Sequence, residues 1–279
     1  MANYTTADIK ALRERTGAGM LDVKKALDEA EGDADKAVEI IRAKGLKGIA
    51  KREGRSAVNG LVAIEVADAG AGQRGTMVEV NSETDFVAKT PNFGEMAAKL
   101  LAAAAGQDSE DPDTVLACQV DGGTALDTLN EAQAVLGEKL QLRRVAILKG
   151  EVVSHYLHKT DPDLPPQVGV MLATDAAGAK VAHDIAMHIA AMSPAYLTRE
   201  DVPEDIVASE RRIAEELSRS EGKPEKVIPK IVEGRVNGFF KDNCLVDQAF
   251  ARDPHKTVGQ VMKEAGGTIT GFVRYRVGA

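Results

Sequence analysis

The chain has 279 residues, 44% of them hydrophobic, enough for about two domains of ordinary size with a core in each. A net charge of -8 argues against a protein that holds nucleic acid through a generally basic surface, and no stretch approaches the ~18 uninterrupted apolar residues of a membrane span. Cys118 and Cys244 belong to no C-x-x-C pair, and the opening MANYTTADIK has no apolar run behind a basic head. The expectation is a soluble cytoplasmic protein with two reduced thiols, no zinc site and no disulfide framework.

In chain order, Thr5 with Asp8 three residues on makes a capping box ahead of an apolar face begun by Ile9 and Leu12. That helix is predicted to stop at TGAGM. A second carries Met20, Val23, Lys24 and Leu27 up to EGD, where Asp33 caps a third that holds Ala37, Val38 and Ile41 and ends at Gly45. Three short helices in about 45 residues are marginal alone, so they read as a docking module. The stretch KGLKGIAKREGRSAVNG, rich in Gly and basic residues and without an apolar period, reads as its tether.

From Gly60 the period changes to two residues. GLVAIEVAD and RGTMVEVN flank a Gly-rich turn and predict a β-hairpin. In TPNFGEMAAKLLAAAAG, Thr90 caps a helix, Pro91 takes its first position and Gly106 closes it. A further helix around ALDTLNEAQAVLGEK leads into the strand LQLRRVAILKG. The second half replays the pattern: EVVSHYLHK and QVGVMLATD as a hairpin, then GAKVAHDIAMHIAAM as a helix. Next, Ile206, Ile213 and Leu217 form one narrow apolar stripe and Ile228, Val232, Val236 and Phe239 another, with Ser220 to Pro224 as the turn between them. This is a helical hairpin with coiled-coil-like seams that projects from the body. HKTVGQVMKEAGG and TITGFVRYRV return the chain to a short helix and a strand, which makes the hairpin an insertion. The expected class is α+β, divided into a helical module and tether (1–55), a first core half (56–140), a second core half (141–198 and 243–279) and the inserted hairpin (199–242).

The segment NSETDFVAK falls at a strand-to-helix corner, where polar residues are the norm. With six Phe, four Tyr and no Trp in the chain, Phe86 either plugs the core or points outward at a partner. Spacing alone favours the plug. Catalytic motifs are missing: the pair Gly222-Lys223 has Leu217 where a phosphate-binding loop needs its first Gly, and no nucleophile elbow, zinc helix or dinucleotide fingerprint occurs. His183 and His188 lie five apart on a predicted helix, about 140° from each other, and read as packing or surface residues with no shared metal. Lys44, Lys47, Lys51, Arg52 and Arg55 read as a solvated charge run.

Four segments in order along the chain, LRERTGAGMLDVKKAL, TDFVAK, HDIAMHIAA and KTVGQVMKEAGGTITGFVRYRVG, together resemble the bacterial elongation factor Ts family. The resemblance implies a ubiquitin-associated-like helical module, a duplicated α+β core with antiparallel sheets and an inserted helical coiled-coil hairpin. It implies a guanine-nucleotide exchange factor for elongation factor Tu, with no covalent chemistry, no cofactor and no metal, the nucleotide belonging to the partner. The family's TDFV element falls on Thr84, Asp85, Phe86 and Val87, and is similar to a segment that enters the partner's GTPase domain and disturbs its magnesium and phosphate site. In the helical module, Lys10, Arg13, Met20 and Leu21 match positions that face the partner. Read from spacing alone, Met20 and Leu21 are equally core of a small bundle, and Lys10 and Arg13 a solvated face.

Two departures limit the carry-over. Some members continue beyond the final strand into a C-terminal helix that touches the partner, whereas this chain ends at Val277-Gly278-Ala279. The second hairpin carries HKTDPDLPPQ, longer and richer in Pro than the family's loop, in which a His contacts the partner's third domain. His158 is the better match and His155 its competitor. A dimer through the helical hairpin is a further expectation, and the rival function is a ribosome- or RNA-associated adaptor that uses the module and the basic stretch.

Overall fold

The computed structural model describes residues 3–16, 18–120 and 122–279. Three helices come first: α1 (Thr6–Thr16), α2 (Met20–Glu29) and α3 (Ala34–Arg52). The Thr5 amide donates to Asp8 at 2.7 Å and the Asp8 amide to Thr5 Oγ1 at 3.2 Å, closing the expected box. Asp33 accepts from the amides of Asp35 and Lys36 ahead of α3. Gly17, in the TGAGM turn, lies outside the described residues. The hairpin β1 (Asn59–Ala69) and β2 (Gly72–Ser82) follows, then α4 (Asp85–Ala88), α5 (Pro91–Ala105), α6 (Pro112–Leu116), a small ribbon of β3 (Gln119–Val120) with β4 (Gly123–Thr124), α7 (Ala125–Leu136) and β5 (Leu140–Gly150). β5 pairs with β2, giving an antiparallel sheet in the order β1-β2-β5.

The second half repeats this connectivity. β6 (Val152–His158) and β7 (Val168–Thr174) form a hairpin, followed by α8 (Ala179–Met192), the long pair α9 (Glu204–Ser220) and α10 (Ile228–Asn243), a ribbon of β8 (Ala249–Phe250) with β9 (Asp253–Thr257), α11 (Val258–Glu264) and β10 (Ile269–Arg276). β10 pairs with β7, so in both sheets the hairpin's first strand is an edge, its second the centre, and the half's last strand the other edge. The α9–α10 pair is inserted between α8 and the returning strand. No helix among the described residues is long and apolar enough to cross a membrane.

The period-two strands bury both faces. Val78 and Val80 pack with Phe93, Leu100 and Leu129 under α5 and α7, while Met77 and Val62 face Val153 and Met171 of the other sheet. Val170 and Leu172 pack under α8 with Ile185 and Ile189. The layers therefore run helix, sheet, sheet, helix. Two glycines permit the central contact: a Cβ on Gly75 would lie 2.7 Å from Met171 Sδ, and one on Gly169 would overlap Val62.

Three expectations are corrected. The strand β5, expected beyond the 140/141 division in the second half, pairs with β2 and closes the first sheet. Gly45 does not end the third helix, and the stretch read as a tether is mostly helical to Arg52. Gly45 is where α3 crosses α7, and a Cβ there would overlap the backbone of Ala134. Arg42 pairs with Glu131, and Arg52 Nη1 donates to the Gln133 carbonyl at 3.0 Å. The breaker was read as a stop because close backbone approach leaves no local signature. In the helical hairpin, Ile228, Val232 and Val236 do form the seam, but with Val207 and Ala214, while Ile206, Ile213 and Leu217 stay exposed. Small residues, including the buried Ser218, let the two helices approach, and that contact outranks the larger apolar stripe.

Candidate partner-binding site

The corner after β2 is set by two threonine caps in series. Thr84 Oγ1 accepts from the Val87 amide at 3.4 Å to start α4, and Thr90 Oγ1 accepts from the Phe93 amide at 3.3 Å to start α5. Val87, 8% exposed, and Ala88 sink into the core beneath α5, which fixes the rotation of the single turn. That rotation turns Phe86 outward, 76% exposed. The plug reading of Phe86, favoured by spacing, is thereby excluded: an aromatic held in solvent by a turn anchored on its next neighbour has no packing role.

Asp85 is the first residue of α4 and not its cap. Its carboxylate lies 3.0 Å from Lys89 Nζ, one turn on, and the Lys89 ammonium stands 5.8 Å from the centroid of the Phe86 ring. The hydrogen bond from Lys89 holds the Asp85 carboxyl below the ordinary carboxylate value. Lys89 is raised in turn, chiefly by Asp85 and further by the field of Asp161 and Asp163. The long second-hairpin loop thus brings negative charge to the same corner. Its ends are tied down by the Gln167 amide to the His158 carbonyl at 3.0 Å and the Val62 amide to the Pro166 carbonyl at 2.9 Å. His158, at the start of that loop, is exposed with Nδ1 3.1 Å from the Tyr156 hydroxyl, and His155 is exposed as well. His183 packs edge-on against Tyr156, and His188 is buried between Gln248 and the Ala251 amide.

In the helical module the small core is Leu12, Val23, Leu27 and Ile41 with alanines between them. Met20 and Leu21 are not part of it: they open α2 at 60% and 72% exposed. Lys10 is exposed and 3.9 Å from Glu14, and Arg13 is exposed on the same helix. Met20 and Leu21 on α2 and Phe86 on α4 are thus exposed large apolar side chains on two different elements.

Sequence reasoning missed what braces the corner. Glu138 Oε2 accepts from the Thr84 amide at 3.0 Å and its Oε1 from the Thr84 hydroxyl at 2.5 Å. Reciprocally, Glu83 Oε1 accepts from the Lys139 amide at 2.6 Å. Lys139 Nζ donates to the carbonyls of Glu53 and Arg55 at 2.6 and 2.9 Å, and Arg55 reaches the Glu83 carboxylate at 3.2 Å. Also missed was Glu79, fully buried between the halves, where it takes Arg143, Arg144, Asn81 and the Gly278 amide. Its one legible signal is a charge inside the apolar strand MVEVN.

The chain matches the family model described as "Elongation factor TS" over residues 83–279, more than half its length. It is 68% identical to a protein of Beutenbergia cavernae over 281 residues, 61% identical to one of Arthrobacter sp. (strain FB24) over 282, and 60% identical to one of Kocuria rhizophila over 280. Each of the three carries the name "Elongation factor Ts", and in each case the match covers 100% of both chains.

Proposed function

The chain belongs to the elongation factor Ts family, and on that premise we propose that it is the guanine-nucleotide exchange factor of elongation factor Tu, which binds the GDP complex and speeds release of the nucleotide. The observation that carries this reading is Phe86, a large aromatic held outward on a capped turn whose next residue is anchored in the core. Such a side chain is ready to enter a cleft in a partner without prior rearrangement. There it acts as a wedge, displacing groups that hold magnesium and phosphate, with Asp85 adding like-charge repulsion near the phosphates. Exchange requires no bond making. If factor binding weakens nucleotide binding, nucleotide weakens factor binding by the same free energy, because the coupling is reciprocal.

Met20 and Leu21, with Lys10 and Arg13, form the attachment surface of the helical module, and His158 adds a contact from the second half. Attachment on both sides of the corner supplies the binding energy that the wedge spends on distortion. The test is release of a fluorescent GDP from elongation factor Tu by stopped flow. Saturating protein is expected to accelerate release about a thousandfold, equivalent to about 4 kcal/mol of barrier. Unaltered release in the presence of saturating protein overturns the proposal.

A further inference from the structure

Given the wedge reading, on which this inference rests, the geometry points to Glu138 as the positioning residue of the exchange element: its carboxylate grips Thr84 and thereby sets where Phe86 stands. Thr84 has two polar groups to satisfy at the start of α4, its amide and its hydroxyl, and Glu138 accepts from both. The second bond leaves Thr84 Oγ1 with its lone pairs for the Val87 amide, so the carboxylate also fixes the rotamer that caps the turn. A charged acceptor makes such bonds shorter and stronger than a neutral one. A four-residue helix cannot hold its own direction, because one turn has too few internal hydrogen bonds to offset the cost of nucleation. The supports for the wedge come from outside the turn: Val87 and Ala88 in the core below, the Ser82 hydroxyl donating to the Thr84 carbonyl at 2.9 Å, and Glu138 beside it, which alone holds both the amide and the hydroxyl of Thr84.

Glu138 is itself well placed to hold a position. It follows Gly137, whose φ of 76° ends α7 in the left-handed conformation, and precedes β5, so its backbone is fixed by two regular elements. The next residue, Lys139, is clasped by Glu83 through its amide and reaches the last carbonyls around the end of α3 through its ammonium. The two carboxylates form a reciprocal clasp, each taking the amide that follows the other, across the gap between the wedge turn and the α7–β5 corner. The end of α3 is included, so the helical module and the wedge share one support.

The test uses the full-length protein and a double-mutant cycle with Phe86. Glu138→Ala is expected to lower the maximal rate of GDP release from elongation factor Tu about tenfold, by misplacing the wedge. The half-saturating concentration should stay within about twofold, since the attachment surfaces are untouched. Glu138→Gln, which keeps one acceptor of the two, should fall between. In a Phe86→Ala background, Glu138→Ala should have no further effect on release, because no wedge remains to be misplaced. A Glu138→Ala variant with the normal maximal rate overturns the inference, as does one whose loss is undiminished in the Phe86→Ala background. If Phe86→Ala alone leaves release unchanged, the wedge reading fails, which the same data separate from a failure of Glu138. Equal urea midpoints for wild type and Glu138→Ala guard against a loss of folded protein, and a rate that falls only in proportion to the folded fraction also overturns the inference.

Discussion

Replacing Phe86 by alanine separates a residue that stabilises the protein from one that acts on a partner. Phe86 is 76% exposed, so about a quarter of its ring is shielded. A phenylalanine side chain buries on the order of 200 Å² when fully enclosed, and about 50 Å² at about 25 cal/mol per Å² comes to about 1 kcal/mol. The contact with Lys89 is solvent-exposed and adds little to that loss. The matched control is Phe93, fully buried beneath the first sheet, whose replacement by alanine should cost about 3 to 5 kcal/mol. Urea unfolding of the two variants should therefore give a small shift for Phe86→Ala and a large one for Phe93→Ala. In stopped-flow release of fluorescent GDP from elongation factor Tu, Phe86→Ala should slow the maximal rate about 100-fold, equivalent to about 2.7 kcal/mol. Its attachment should change little. A large loss of stability in Phe86→Ala, together with normal release per folded molecule, would refute the reasoning from exposure to wedge.

Three other outcomes follow from the packing. Gly45→Ala should lower stability despite a gain of about 1 kcal/mol in helix propensity, because the new methyl meets the Ala134 backbone; hydrogen exchange should show α1 to α3 losing protection first, and a stabilised variant would contradict the docking. His188 is held below its ordinary value of 6.5 by burial, so as pH falls the unfolded chain takes up a proton before the folded one does. Stability should then drop below about pH 6.5, and urea midpoints at about pH 7.5 and about pH 5.5 should differ less in His188→Gln than in the wild type. Finally, burial pushes the Cys244 thiol up to about 11 while Cys118 is half exposed, so a thiol reagent should titrate one group quickly in the native protein and the second only on unfolding; two fast equivalents would refute this.

Local signals carried most of the architecture. Thr5, Asp33, Thr90 and Pro91 mark helix starts because capping is a contact between residues two or three apart, and the strands declared themselves by alternation. The repeated order of hairpin, helix and strand became two sheets of the same connectivity. What failed was long-range. Gly45 read as a stop because the backbone it touches is Ala134, and the stripe of Ile206, Ile213 and Leu217 read as a seam because the small residues that actually let the helices meet carry little hydrophobic signal. The site divided the same way. The position of Phe86 at a corner was legible, but its direction depends on Val87 being anchored, and the grip of Glu138 on Thr84 spans 54 residues and has no pattern to betray it. Met20 and Leu21 were ambiguous between core and surface until the bundle was seen to close without them.

The near-contact of the two sheets at Gly75 and Gly169 bears on how the protein can push. A side chain driven into another protein meets an equal opposing force, and whatever stands behind it must not give way. β5 and β6 are joined through the single residue Glu151, and at the glycine crossings side chains of one sheet lie against the backbone of the other. Sliding one sheet over the other would drive Val62 and Met171 into main chain, a hard stop in an interior as incompressible as a crystal. On the wedge reading proposed above, the load on the exposed ring would pass through its turn into a double slab that recoils as one piece, and little of the stroke would be lost to bending within the protein itself.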